Sequence, residues 1–364
     1  MHEGAVAHVQ THDAREEAIE LLSTEFNTAY SWNYEMVRRE LHNLYEKAKR
    51  DQWNATDQLP WHLGVDAEAE NLPDMQIPVY GTHIWEKLRP AEVRTLRREQ
   101  LRWLLSNFMH GEQGALLATA QIVNTVPWTE AKFYAANQVA DEARHVEVYR
   151  RYLTEKMGIS FPVNPHLHTL LDQIIAESRW DMIYLGMQIM VEGLALAAFG
   201  VMKFTKADEP LIQQITAAVM RDEARHVAFG VLSLQDLYTK ELSSAELAER
   251  EEFVIEATVL MRDRLLMEEV WPRVGLDPKI WMPWALTTPF MTGFRQILFS
   301  KIVPNLKRLG LLTPRVRAKF ADLDILQYES LPDSTTDEDT AIPPALLAFF
   351  SSLQAAGIQF PAPS

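Results

Sequence analysis

The hexapeptide Asp-Glu-Ala-Arg-His-Val occurs twice in this chain, starting at Asp141 and again at Asp222. Both copies lie in stretches whose apolar residues recur at helical intervals. A Glu and a His three positions apart sit about 300° apart around a helix, so Glu142 with His145, and Glu223 with His226, each direct a carboxylate and an imidazole to one side. Two more acids complete the pattern. Glu112 precedes Glu142 by thirty residues and Glu192 precedes Glu223 by thirty-one, each on its own apolar helical segment. Two helix pairs, each reading Glu and then Glu-x-x-His, are what a four-helix bundle needs to hold two metal ions at its centre.

Charge supports this reading. Two divalent ions offset the four carboxylates, so the assembled cluster is neutral and can be buried at tolerable cost; without metal the same acids would repel one another. Mixed oxygen and nitrogen ligation suits iron or manganese better than zinc, and leaves open positions for dioxygen. The bland alternative is an internal duplication whose acids and histidines form buried ion pairs, which would be difficult to stabilise with no cation among them.

The composition, 47% hydrophobic and 23% charged over 364 residues, permits a sizeable core. The formal charge of −15 sets nucleic acid aside as a partner. There is no Cys, which excludes disulfides, a thiolate-held iron–sulfur cluster and a cysteine nucleophile. The start of the chain has no basic region followed by an apolar run, so a cytoplasmic location is the expectation.

The chain reads as all-α throughout. Apolar residues from about His12 to Arg50 predict one amphipathic helix or two; residues 51–78 predict an extended connection anchored by Trp53, Trp61 and His62, with the tryptophans in packing roles. Pro90 opens a helix carrying Glu112, Thr129 caps the next, and Gly158 ends it. Helix is predicted over His166–Phe204, kinked near Ser178, then from Asp208 to about Lys240, from Ser243 to near Trp271-Pro272, and from Ala285 to Leu312 with a kink at Pro304. Met182–Met202 contains one ionisable residue, Glu192, and is long enough to raise a transmembrane reading. A helix apolar all round also suits the centre of a bundle, so no membrane span is expected. Residues 1–330 form one helical domain with its metal-binding core at about 90–241, and residues 331–364 an acidic connection and a short closing helix.

The segment Gly111-Glu112-Gln113-Gly114-Ala115 running on to Ala118-Thr119, the thirty-residue step and the Asp-Glu-x-Arg-His repeats resemble the ferritin-like di-iron carboxylate proteins, among them the large hydroxylase subunits of bacterial multicomponent monooxygenases. The resemblance covers roughly residues 95–240. It implies a ferritin-like bundle with additional N- and C-terminal helices, in which Glu112, Glu142 and His145 hold one iron and Glu192, Glu223 and His226 the other, some carboxylates bridging. It further implies crossed bonds from Asp222 to the ring of His145 and from Asp141 to that of His226, with Arg144 and Arg225 neutralising the aspartates. Manganese in place of one iron stays open. Two positions are notable: Leu196 stands where those hydroxylases usually carry Thr, and Tyr149, one turn after His145, resembles the radical tyrosine of ribonucleotide reductase small subunits, with core packing as the competing role.

Small residues beside the acids (Gly111, Gly114, Ala115 and Ala118; Gly193, Ala195, Ala197, Ala198 and Gly200) permit close helix packing or a cavity. A cavity walled by Met190, Leu196, Phe199 and Phe229 would be apolar and take a hydrophobic substrate. The chain has no dinucleotide fingerprint, so electrons for oxygen insertion come from a separate reductase or ferredoxin, or from the substrate. These observations predict a di-iron oxygenase that uses dioxygen to hydroxylate an apolar organic substrate, desaturation and N-oxygenation using nearly the same site, with a homodimer as the candidate assembly. The competing readings are a radical-generating or ligand-binding iron or manganese–iron oxidase, and non-catalytic iron storage.

Overall fold

The computed structural model describes residues 20–65, 74–205, 209–336 and 344–355. Pro90 in the first turn, and the Glu92 side chain returning to the Arg89 backbone N–H, start a long helix. In chain order the helices that build the body are α1 (Arg39–Arg50), α2 (Pro90–Thr125), α3 (Thr129–Arg151), α4 (Pro165–Ala176), α5 (Trp180–Tyr184), α6 (Glu192–Thr205), α7 (Pro210–Asp236) and α8 (Ser244–Asp263). Shorter helices follow: α9 (Val270–Arg273), α10 (Pro278–Thr287), α11 (Pro289–Ile297), α12 (Ile302–Arg308), α13 (Pro314–Asp322) and α14 (Pro344–Ala355). No strand occurs among the described residues.

Helices α2 and α3 form one antiparallel hairpin and α6 and α7 another; the hairpins meet where α3 packs on α7, and α1 lies across both. A π-helical turn, Leu185–Val191, joins α5 to α6 and delivers Glu192 to the bundle centre. Trp180–Lys203 is the one helix among the described residues long and apolar enough to cross a membrane, and 94% of its most apolar window is buried inside the fold. Its hydrophobicity is used for packing against α7, α8 and α12.

Several boundaries differ from the sequence-based expectations. Residues 20–38 carry no helix. There Ser31 Oγ accepts from the Asn33 N–H and Asn33 Oδ1 from the Glu35 N–H, local bonds that compete with helical ones. The run from Ala285 to Leu312 is not one helix: Pro289 starts α11, a separate 3-10 turn spans Leu298–Ser300, and α12 follows. Helix α8 stops at Asp263, well short of Trp271. The predicted closing helix corresponds to α14, whereas residues 12–19 and the acidic stretch from 337 onward lie outside the described residues.

Candidate metal centre

Each of the four acids is carried by a different helix. Glu112 is mid-α2, Glu142 and His145 are on the inner face of α3, Glu192 is the first residue of α6, and Glu223 and His226 are mid-α7. All six side chains are buried, none more than 6% exposed. They converge in two overlapping groups, Glu112, Glu142, His145 and Glu223 in one and Glu142, Glu192 and His226 in the other, with ligating atoms within 4.8 Å of one another in each. Glu142 belongs to both. Glu223 Oε1 stands 3.2 Å from His145 Nδ1 and 3.4 Å from His226 Nδ1, so it too lies between the imidazoles.

The rings are held from behind by crossed aspartates. His145 Nε2 is 3.1 Å from Asp222 Oδ2 and His226 Nε2 is 3.3 Å from Asp141 Oδ2, which turns both Nδ1 atoms to the centre. Arg144 pairs with Asp141 and Arg225 with Asp222, each three residues on along its own helix. The loop after α1 adds two donors: Gln52 Nε2 to Asp141 Oδ1 at 3.0 Å and Trp53 Nε1 to Asp222 Oδ2 at 2.7 Å. On the metal side, the buried Gln138 amide donates to Glu142 Oε1 and Glu192 Oε1, both at 2.9 Å.

Electrostatics and bonding together fit a cation pair. Burial, reinforced by Glu223, pushes the Glu112 and Glu192 carboxyls well above the ordinary range. Burial acts the same way on Glu142, but the two imidazoles outweigh it and its carboxyl is net lowered. Despite this crowding, Glu192 Oε2, both oxygens of Glu223 and His226 Nδ1 have no hydrogen-bond partner. Buried oxygens and nitrogens 3.2–3.4 Å apart yet out of hydrogen-bond alignment are what a ligand set looks like around a position for metal.

Glu112, Glu192 and Glu223 open on a cavity of about 20 Å³ whose wall includes Gly111, Ala115, Phe108, Val191 and Ala195. This corrects the expected lining: Met190, Leu196, Phe199 and Phe229 are buried in the core and do not wall that cavity, because Val191 at the end of the π-helical turn, with Glu192 and Ala195 of α6, makes the surface toward the acids. The small residues divide between the two roles. Gly111, Ala115 and Ala195 leave space, whereas a methyl added at Gly114 would overlap the side chain of Leu171. A second, apolar cavity of about 50 Å³ lies further along α2 and α6, lined by Leu101, Trp103, Ala198, Met202, Leu265 and Phe290 among others, and by none of the six predicted ligands. Tyr149 is fully buried, packed on Phe108 and Phe199, and its hydroxyl has no hydrogen-bond partner.

Residue patterns alone missed Gln138, Gln52 and the polar role of Trp53. Gln138 had a signal, since it lies one turn before Glu142 on the same helix face. The other two had none: they reach the aspartates across a long sequence separation from a segment that reads as a connection.

A family model described as p-aminobenzoate N-oxygenase AurF matches residues 35–310. No curated protein matches the chain. Among solved structures, the dimanganese(II) NrdF of Streptococcus sanguinis is similar with a TM-score of 0.53 at 14% identity, over 81% of this chain and 99% of that one. A manganese–iron form of an R2-like ligand-binding oxidase is similar with a TM-score of 0.46 at 19% identity, over 76% of this chain and 94% of that one. The likeness to NrdF is one of fold. The matched family stretch runs from before α1 to the end of α12 and so contains both hairpins and every residue of the carboxylate–histidine cluster. Within the ferritin-like di-metal superfamily of oxidoreductases, this chain therefore belongs to the p-aminobenzoate N-oxygenase AurF family.

Proposed function

We propose that the chain is a dioxygen-activating di-metal oxygenase in which Glu112, Glu142, His145, Glu192, Glu223 and His226 hold two iron ions or a manganese–iron pair. One observation carries this reading above the others: fully buried carboxylate oxygens and imidazole nitrogens converge from four helices, and four of those atoms are without a hydrogen-bond partner. When bound, the metal pair supplies the site at which dioxygen is held and reduced.

The protein's own groups supply the rest. Asp141 and Asp222 fix the tautomer and tilt of the imidazoles, and Arg144 and Arg225 pair with those aspartates. Gln138 orients Glu142 and Glu192. Leu196 offers no hydroxyl, so protons do not reach the centre through that side chain. The cavity beside Glu112 has a free volume of about 20 Å³, room for roughly one water molecule, and brings an opening up to the acids.

Family membership favours the nitrogen of an aromatic amine as the oxygen acceptor. One oxygen atom converts an N–H to N–OH and the other leaves as water, which consumes two electrons and two protons. A separate reductase or ferredoxin provides the electrons, since the chain has no Cys and no dinucleotide fingerprint.

The test is anaerobic reconstitution with ferrous ion followed by isotopically labelled dioxygen and p-aminobenzoate in the presence of a chemical reductant. The expected result is about two metal ions per chain, loss of both in Glu142→Ala, and one labelled oxygen in the product. Protein with no paired metal, or a Glu142→Ala variant that keeps the pair, sinks the assignment.

A further inference from the structure

The charges around a loaded centre sum to one too many. Two divalent ions offset the four glutamates, and Arg144 with Asp141 and Arg225 with Asp222 cancel in pairs. Arg264 adds a positive charge that no side chain offsets. It lies in the turn Arg264–Leu266 immediately after α8, is 6% exposed, and lines the same cavity as Glu112, Glu192 and Glu223. The acid before it in sequence is taken, because Asp263 Oδ1 accepts from Arg262 Nε at 2.6 Å. Every other arginine buried to this degree among the described residues has an acceptor: Arg97 pairs with Asp74, Arg225 with Asp222, Arg250 with Asp181, and Arg295 donates to the carbonyls of Ala285 and Leu286. Burial alone pushes the Arg264 guanidinium down to about 10, so it stays a cation near neutral pH.

An ionised side chain buried without a partner destabilises a fold, so by itself Arg264 is a cost to this one. The cavity it shares with the carboxylates has room for about one water, so little solvent screens the guanidinium from the centre. Unit charges facing each other across so small a gap in a protein interior shift an equilibrium by roughly tenfold. Resting on the oxygenase reading above, we infer that Arg264 sets the redox poise of the metal pair: its fixed charge favours the reduced pair over the oxidised one. The sign follows from charge alone. An electron reaching the pair removes one unit of positive charge beside the guanidinium, and an electron leaving adds one. In that step the separate reductase or ferredoxin is oxidised by one electron and the pair is reduced by one, with no bond made or broken. The same charge opposes the arrival of divalent ions, so Arg264 lowers metal affinity while it raises reducibility. A side chain that only packed the cavity wall would act differently: its loss would leave the redox equilibrium in place and weaken metal binding.

The experiment uses the full chain loaded anaerobically with ferrous ion, as wild type, Arg264→Met, Arg264→Gln and Arg264→Lys. Mediated redox titration followed by Mössbauer spectroscopy reads the ratio of reduced to oxidised iron at a fixed potential, and competition with a chelator reads ferrous affinity. At the wild-type midpoint both neutral variants are expected to show that ratio lowered about tenfold, with ferrous affinity raised by a similar factor. Arg264→Lys keeps both near wild type, because it keeps the charge. Circular dichroism checks folding, and if one neutral variant fails to fold the other decides. An unchanged ratio in the neutral variants, a ratio in Arg264→Lys that falls as far as theirs, weaker ferrous binding without the charge, or failure of both neutral variants to fold each overturn the inference. Wild-type protein that takes up no paired iron ends the oxygenase reading instead, before any potential is measured, so the two failures are told apart.

Discussion

At the scale of single residues the repeated hexapeptide is symmetric but its surroundings are not. One turn before Glu142 stands Gln138, which ties two of the acids together; one turn before Glu223 stands Val219, buried and apolar. One turn after His145 comes Tyr149, and one turn after His226 comes Gly230. The two halves of the centre therefore present different neighbours to whatever binds there. Behind the rings, Asp222 accepts from Trp53 and Arg225 as well as facing His145, while Asp141 accepts from Gln52, Asn137 and Arg144 as well as facing His226. Replacing Asp222 with Ala releases the His145 ring and leaves the Trp53 indole N–H without an acceptor. Metal affinity is expected to fall roughly 10–100-fold, measured by competition with a chelator of known strength; an unchanged affinity would remove Asp222 from the support of the centre. The acids and histidines at these positions were legible because chemistry, period and repetition coincide in them. Arg264 was not, since within Arg262-Asp263-Arg264 it reads as one more surface charge.

At the scale of elements, the position of Glu192 depends on how the π-helical turn packs against α7. Gly230 is the contact. A Cβ there would come 2.7 Å from Gln188 Cβ, an atom fixed by the backbone of that turn and unable to swing aside. Gly230→Ala gains about 1 kcal/mol of helix propensity, but the overlap opposes it. The net expectation is destabilisation of roughly 1–3 kcal/mol by denaturant titration, with weaker metal binding as α6 moves away from α7. Gly111, where an added methyl meets nothing within 4 Å, serves as the control, and Gly111→Ala should leave stability unchanged or slightly raised. Stability equal to wild type in Gly230→Ala would show that the two elements are not in tight register. Helix existence and type followed from periodicity and from start signals such as Pro90 and the Ser243–Glu246 capping box. Helix ends followed less well. Residues 20–38 carry helical periodicity, yet their backbone is committed elsewhere, with the Ala29 N–H donating to the Asn124 carbonyl and the Arg38 N–H to Glu130.

At the scale of the whole molecule, the core holds phenols as well as carboxyls. Burial pushes Tyr152, Tyr184 and Tyr238 above the ordinary value of 10.0, helped by Glu209 for Tyr152 and by Asp181 for Tyr238. These side chains are away from the metal cluster. Above the unfolded value the unfolded chain releases phenolic protons that the folded chain retains, so stability falls as pH rises. The contribution is intact below about pH 10 and is lost progressively above it. The phenolate absorbance of these three tyrosines should accordingly appear together with loss of helical circular dichroism during alkaline titration; their ionisation well before unfolding would contradict it. The sequence by itself determined an all-α chain and named six ligand candidates, because a carboxylate–imidazole pair at helical spacing, written twice, is a local pattern read within single helices. Tertiary structure alone decided which of those acids lie between the two imidazoles, that a connecting loop supplies Trp53 to Asp222, and that a guanidinium from beyond α8 reaches the cavity beside the acids. Each of these depends on segments far apart in sequence being brought within a few ångströms, and no local period encodes such a distance.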